Sequence, residues 1–335
     1  MADKNRYKIN FRGKEKSKRA IRRITSPKVL PTTLTINGTR YIENYQFSCG
    51  NSVPIYEEIT VHGFTQLIGH AKFNNQSYGN IYYRGECKIH DSLKPSLFRT
   101  VKKIDPANIR LMSLVQKVIN DERMKNELKL SQNDFETDKV KVEGMLQHYG
   151  VPTRFIDVVD NHWVALWMGL NKADKPKQIC QYYHYIERQV PLIELADGRI
   201  ACDDEIFQYV LLLAVPFSNH RTFTGIQISN NYIEVDLRQA LPSIFLRPHA
   251  QHGLVIRRKV HDTDASKGVE AYDLAPIVVG IIKIRIDRVK QWIGTGELLT
   301  QNNLFPPPAY DYGYDLLLKR SDLFDDSVFE IARYI

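Results

Sequence analysis

The chain predicts an α+β fold: a helical first half packed on a mixed, mostly antiparallel β core, preceded by an N-terminal β-hairpin and a disordered basic arm. Three observations lead there. Apolar residues recur at helical spacing between residues 105 and 167, β-branched and aromatic runs dominate from 179 onward, and the excess positive charge sits in the first 28 residues. Helical segments followed by strands argue for α+β and against alternating βαβ units.

The arm comes first. Residues 1–28 hold eleven Lys and Arg against Asp3 and Glu15, a net +9, so the rest of a chain whose total is +8 carries −1. So few apolar residues do not repay the ordering entropy, which predicts disorder. A flexible cation binds a polyanion by counterion release, so the arm reads either as a nucleic-acid tether or as a solvated tail. The basic start lacks an apolar core and is not a secretory signal. No window approaches the roughly 18 uncharged apolar residues of a membrane span. Cys49, Cys87, Cys180 and Cys202 are far apart with no CxxC pair, so free thiols in a reducing cytoplasm are expected. A hydrophobic content of 43% against 25% charged residues suits a packed core.

An extension over 29–75 follows. Thr32–Ile36 and Thr39–Ile42 are alternating runs around Asn37-Gly38, the strongest short hairpin signal. Gly63 to Phe73 predicts a short amphipathic helix. A main domain is expected over 76–335. Asn80–Arg84 reads as a strand stopped by Gly85. Asp105-Pro106 opens a long helix, with Ile109, Met112, Val115 and Ile119 as its apolar face. A second helix starts at Asn133-Asp134 and stops by Gly150. A third follows Asn161. Strands are expected at Ile179–Ile186, Val190–Leu195 with an Asp197-Gly198 turn, Tyr209–Val215, Tyr232–Val235, Leu254–Arg258 and Val278–Ile286. Pro306-Pro307-Pro308 marks a stiff late linker.

The common nucleotide, metalloprotease and hydrolase signatures are absent: no GxxxxGK[ST], strand-linked GxGxxG, HExxH or GxSxG. His249-x-x-His252 lacks paired cysteines and an acidic third ligand, so no metal site is expected. What remains is a constellation. Arg84 offers a fork of donors for phosphate or carboxylate, and Gly85 lets a ligand approach the backbone. The helix ending at Leu146-Gln147-His148-Tyr149-Gly150 leads through Val151-Pro152 to Arg154 and Asp157. This segment reads as a binding wall of polar and aromatic groups, or as a structural corner in which Arg154 pairs with Asp157 and His148 caps the helix.

Tyr83-Arg84-Gly85-Glu86, Leu93-Lys94-Pro95-Ser96-Leu97-Phe98-Arg99, Gln147 through Asp157 and Ala165-Leu166-Trp167 together resemble the FRG domain of bacteria and phages. Arg247, Gln251-His252-Gly253 and Leu304-Phe305-Pro306 are similar to its later signatures, so the resemblance runs from about 76 to 310. The chain departs from the usual pattern at Glu86, where Gln is common, and at Val158-Val159, where Trp-Thr is common. The order of these motifs resembles that of ADP-ribosyltransferase-like domains, which implies a split sheet and NAD as substrate. By that resemblance Arg84 and Gly85 hold the nicotinamide amide, Tyr149 stacks on the ring with His148 beside it, and Arg154 faces the pyrophosphate. Gln251 takes a late-strand place usually held by Glu. An amide is no general base near neutral pH, so Asp157 or Glu86 supplies the carboxylate. The implied activity is mono-ADP-ribosyl transfer by a toxin or a protein of phage–host conflict, with nucleic acid favoured as acceptor because of residues 1–28. The alternatives are a non-enzymatic nucleic-acid-binding module and a protein-interaction domain.

Overall fold

The computed structural model describes residues 26–99, 104–131, 134–174, 182–191, 201–217, 221–324 and 331–334. The basic arm up to residue 25 and most of the strand and turn expected over 190–198 lie outside the described residues. Among the described residues, no helix is long and apolar enough to cross a membrane, and Cys49, Cys87 and Cys202 are free thiols.

Two strands open the chain, β1 (Thr39–Gln46) and β2 (Ser52–Glu58), and lead into α1 (Val61–Asn75) and β3 (Gly79–Glu86). Then come α2 (Ile104–Asn120), α3 (Glu122–Glu127), α4 (Phe135–His148), β4 (Ile156–Val159), α5 (His162–Leu170), β5 (Asn171–Asp174) and β6 (Tyr182–Glu187). The second half runs through α6 (Asp203–Ile206), β7 (Phe207–Pro216), β8 (Arg221–Phe223), β9 (Ile226–Ile228), β10 (Tyr232–Asp236), α7 (Leu237–Ala240), α8 (Leu246–Gln251) and β11 (Gly253–Arg258). It closes with β12 (Val278–Arg285), α9 (Ile286–Ile293), α10 (Gln301–Leu304), α11 (Tyr312–Lys319) and β13 (Arg333–Tyr334). The fold is α+β, built on a ten-stranded sheet in the order β1-β2-β12-β7-β3-β4-β11-β10-β9-β8, with a small second sheet β13-β6-β5. Among the described residues only β2 and β12 pair in parallel in the large sheet, so it is mixed and mostly antiparallel.

Both faces of the central strands are covered, which explains their unbroken apolar character. In β7, Val210, Leu212 and Ala214 join Phe64 and Leu67 of α1, Val164 and Leu166 of α5, and Val289 of α9 in one core. Tyr209, Leu211 and Leu213 alternate into the other face with Ile156, Val158, Leu254 and Ile281. A third core packs α2, α4 and α11 over Val235 and Val255. The sheet therefore has two halves with separate helical layers, meeting where β3 touches β4. Those two strands share a single pair, Tyr83 with Val159.

The helix ends follow local chemistry. Asp134 caps α4 by accepting from the Thr137 amide at 3.2 Å, Gly150 turns the chain at φ +91°, and Asn161 caps α5. Three expectations need correction. The hairpin is not built on Asn37-Gly38: Gly38, at φ +83°, turns the chain into β1, and β1 pairs with β2 around residues 47–51. The upstream run cannot be a strand partner because Leu34 and Ile36 pack against the α1/α5 core instead. Gly85 does not stop β3, which continues to Glu86 in register with Tyr209. Finally, α2 already includes Ile104, and its buried face runs through Leu111, Val115 and Val118, leaving Ile109 68% exposed.

Candidate ligand site

The residues singled out around Arg84 do converge, but as a brace. Arg84 lies on the β3 stretch that follows the single β3–β4 pair. Its Nε donates to Glu86 Oε1 at 2.5 Å, and an Nη donates to the Asp157 carbonyl at 2.7 Å. Burial works to lower the guanidinium's pKa, and the carboxylates of Glu86 and Asp157 more than reverse it. Across the junction, Gln147 Nε2 donates to Asp157 Oδ2 at 2.7 Å, and Thr153 donates to Gln147 Oε1 at 2.8 Å. His148 Nδ1 stands 3.6 Å from Asp157 Oδ1. Partial burial pushes the Asp157 carboxyl up, but His148, Arg84 and Gln147 hold it below the ordinary carboxylate range. Asp157 keeps 43% of its side chain exposed. The brace ties β3 to β4 where backbone pairing is thinnest.

The other expectations are overturned, each for a physical reason. Gly85 leaves no room for a ligand, because a Cβ there would lie 1.8 Å from the Ala165 carbonyl oxygen of α5. The missing side chain serves helix–sheet packing. Glu86 is neutralised by Arg84 and is not an open catalytic acid. His148 is buried against Gly253, whose Cβ would meet the ring at 2.5 Å. Tyr149 is wholly buried. Its hydroxyl donates to Asp311 Oδ2 at 2.8 Å and its ring lies under the Arg247 guanidinium at 4.5 Å, so it cannot stack on a ligand. Arg154 faces neither a pyrophosphate nor Asp157. Its backbone amide, Nε and Nη2 all donate to the fully buried Glu143 of α4, at 3.1, 2.9 and 2.5 Å. Burial drives that carboxyl up, and Arg154 and Arg257 overcome it and hold it low. Gln251 sits at the end of α8, not on a strand, 4% exposed, and donates to the Leu304 carbonyl at 2.6 Å.

The open space lies on the other side of the β3–β4 pair. There the N-terminal half of β3 separates from β4, β11 and β10, leaving a cavity of about 600 Å³. Asn80 and Tyr82 of β3 form one wall, Glu234 and Asp236 of β10 the other, with Phe217 and Phe223 also lining it. Glu234 is only 5% exposed. Its carboxyl is raised to about 6, chiefly by burial, opposed by a hydrogen bond from Tyr82 and helped by the nearby Asp236 charge. Lys72 of α1 and Arg238 of α7 bring positive charge to the rim. Arg238 is clamped by Asp236 and Asp160 at 2.8 and 2.7 Å, and His252 Nδ1 stands 3.2 Å from Asp160. A concave space of this size with aromatic walls and one perturbed carboxyl has the features of a ligand site. The expected Tyr232–Val235 strand is present, and Glu234 within it is a site residue that the motifs do not single out. The signal was an acid at a strand position flanked by Ile233 and Val235.

A family model described as FRG domain matches residues 79–178, which contain the brace and β3 but not β10. No curated protein and no solved structure matches the chain.

Proposed function

We propose, from the premise that residues 79–178 are an FRG domain, that the protein cleaves NAD and transfers ADP-ribose, with the reaction seated in the cleft between β3 and β10. The observation that carries this reading is Glu234: a buried carboxyl on a late strand, facing a cavity large enough for much of a dinucleotide. It takes the place that the resemblance assigned to Gln251, and unlike an amide it carries charge and accepts a proton. The thin β3–β4 pairing beside the cavity, one residue pair, supports a split-sheet reading of this fold.

The chemistry follows from that carboxylate. Above pH 6 Glu234 is mostly ionised and accepts a hydrogen bond from a ribose hydroxyl. The bond between ribose C1′ and the nicotinamide nitrogen breaks, its electron pair leaving with nicotinamide, and positive charge develops on the ribose. A fixed carboxylate nearby stabilises that charge in a low-dielectric site. The acceptor's oxygen or nitrogen then bonds to C1′ and releases its proton to the carboxylate. Phe217 and Phe223 supply the aromatic surface expected of Tyr149, and Lys72 supplies a cation for phosphate.

The test is nicotinamide release and label transfer from NAD by the full chain, compared with Glu234→Gln. The variant should bind NAD and lose cleavage by about 100-fold or more. Wild-type protein that neither binds NAD nor releases nicotinamide ends the proposal. A role as a toxin or in phage conflict predicts that induced expression arrests bacterial growth and that Glu234→Gln relieves it. The +9 charge of residues 1–28 favours nucleic acid as acceptor. Deleting residues 2–28 should then reduce transfer to RNA or DNA and leave nicotinamide release intact. If deletion removes nucleic-acid binding from a chain with no NAD activity, the non-enzymatic binding module is the better account.

A further inference from the structure

Glu234 is held by a chain of donors reaching across the cleft from the opposite strand. Tyr82 Oη donates to Glu234 Oε1 at 2.5 Å, and Asn80 Nδ2 donates to the Tyr82 oxygen at 3.1 Å. Asn80 and Tyr82 are two apart on β3 and so share a face. β3 and β10 are not neighbours in the sheet, so this side-chain contact bridges the two halves at the cavity. Glu234 lines the cavity, and Tyr82 holds its Oε1 from across it.

We propose that Tyr82 is the positioning residue for Glu234: with Asn80 behind it, it pins Oε1 and turns Oε2 toward the substrate. This deepens the ADP-ribosyl-transfer reading and rests on it. The physical reasons are three. A carboxyl rotates about its last bond unless one oxygen is fixed, and a single strong donor removes that freedom. Burial and the adjacent carboxylate push the Tyr82 phenol far above its ordinary value, so it stays a donor at every working pH. A donor aimed at an ionised carboxylate favours the charged form, which offsets the burial that favours the protonated one. Tyr82 thus fixes both the direction in which Glu234 accepts and the pH range over which it does so.

The experiment reads Glu234 directly, by carboxyl-carbon NMR of full-length protein labelled at glutamate, with Glu234→Gln assigning the signal. Tyr82→Phe keeps the ring and removes the hydroxyl. It should move the Glu234 midpoint upward by roughly one unit. Asn80→Ala should move it in the same direction by less, and carries the test if Tyr82→Phe does not fold. In the cleavage assay kcat should fall with KM little changed, and the acid limb of the pH profile should move with the NMR midpoint. An unchanged midpoint in the folded variants overturns the proposal. If wild-type protein fails to cleave NAD, the transfer reading falls, while the NMR midpoint still decides whether Tyr82 holds Glu234.

Discussion

Replacing Glu58 by Gln should remove one pH-dependent contribution to stability, so that wild type is the more stable protein at low pH and the variant at high pH. Glu58 closes β2, is wholly buried, and among the described residues has only the Thr39 hydroxyl as donor to its carboxyl, at 2.9 and 3.0 Å from the two oxygens. Burial pushes its pKa from 4.5 to about 8, with Thr39 opposing weakly. An acid whose folded value is raised contributes stability that is full below pH 4.5, declines as pH rises and is exhausted above about 8. At 1.36 kcal/mol per unit, ionising Glu58 in the folded state removes about 5 kcal/mol across that window. The N-terminus of α1 lies close by, since a Cβ on Gly63 would fall 2.5 Å from Glu58 Oε2. Its dipole offsets no more than about 1 kcal/mol. The Gln variant does not ionise, but it places a new amide donor in the same space at a cost of about 1–3 kcal/mol. At pH 5 it should therefore be slightly less stable than wild type, and at pH 9 more stable by a few kcal/mol. Urea denaturation of both proteins from pH 5 to 9 measures the difference, in which titrations common to both cancel. Parallel curves that never cross would refute the reasoning.

The site geometry yields further predictions. Arg154→Ala strands Glu143 as a buried carboxylate with only Arg257 at 4.0 Å, and should destabilise by about 3–5 kcal/mol in urea denaturation while leaving NAD affinity of the surviving folded protein unchanged. Gly85→Ala drives a methyl into the backbone of α5 and should lower Tm sharply or prevent soluble expression, whereas alanine at exposed Gly296, with open space around it, should be tolerated. Tyr149→Phe removes one donor from Asp311, which still accepts from the Arg247 and Tyr314 amides, and should destabilise by about 1–2 kcal/mol in thermal unfolding without altering NAD cleavage. NAD cleavage should fall on the acid side as pH drops through about 6, because Glu234 is then protonated, and a pH–rate profile checks it.

Where the sequence was legible, the signal was local. Asp134 before Phe135, Gly150 after Tyr149 and Asn161 before His162 mark helix ends through bonds spanning two or three residues or a single positive φ. β7 declares itself because both its faces are buried. The errors come from partners on other elements, near or far along the chain. Tyr149 beside a turn looks like a ligand wall until Asp311, 162 residues away, is seen to take its hydroxyl. Arg154 and Asp157 look like a pair because they are close in sequence. Glu143, on the preceding helix, wins because its full burial demands a cation more strongly than the half-exposed Asp157 does. The parallel pairing of β2 with β12 joins residues more than 200 positions apart, and no local pattern encodes it.

The placement of the brace has a mechanical consequence for the proposed reaction. Arg84 and Tyr82 stand two residues apart on β3, one holding the Asp157 carbonyl of β4 and the other holding Glu234 of β10. The backbone itself contributes one pair between β3 and β4. Loosening Arg84 therefore frees β3 to shift against β4, and the distance between Tyr82 and Glu234 is set by that relation. Loss of activity in Arg84→Ala would then not identify Arg84 as a ligand to NAD. A brace predicts that the Glu234 midpoint moves in Arg84→Ala as it does in Tyr82→Phe, because the donor drifts from its carboxylate. A direct ligand predicts weakened NAD binding with the free protein's Glu234 midpoint unmoved.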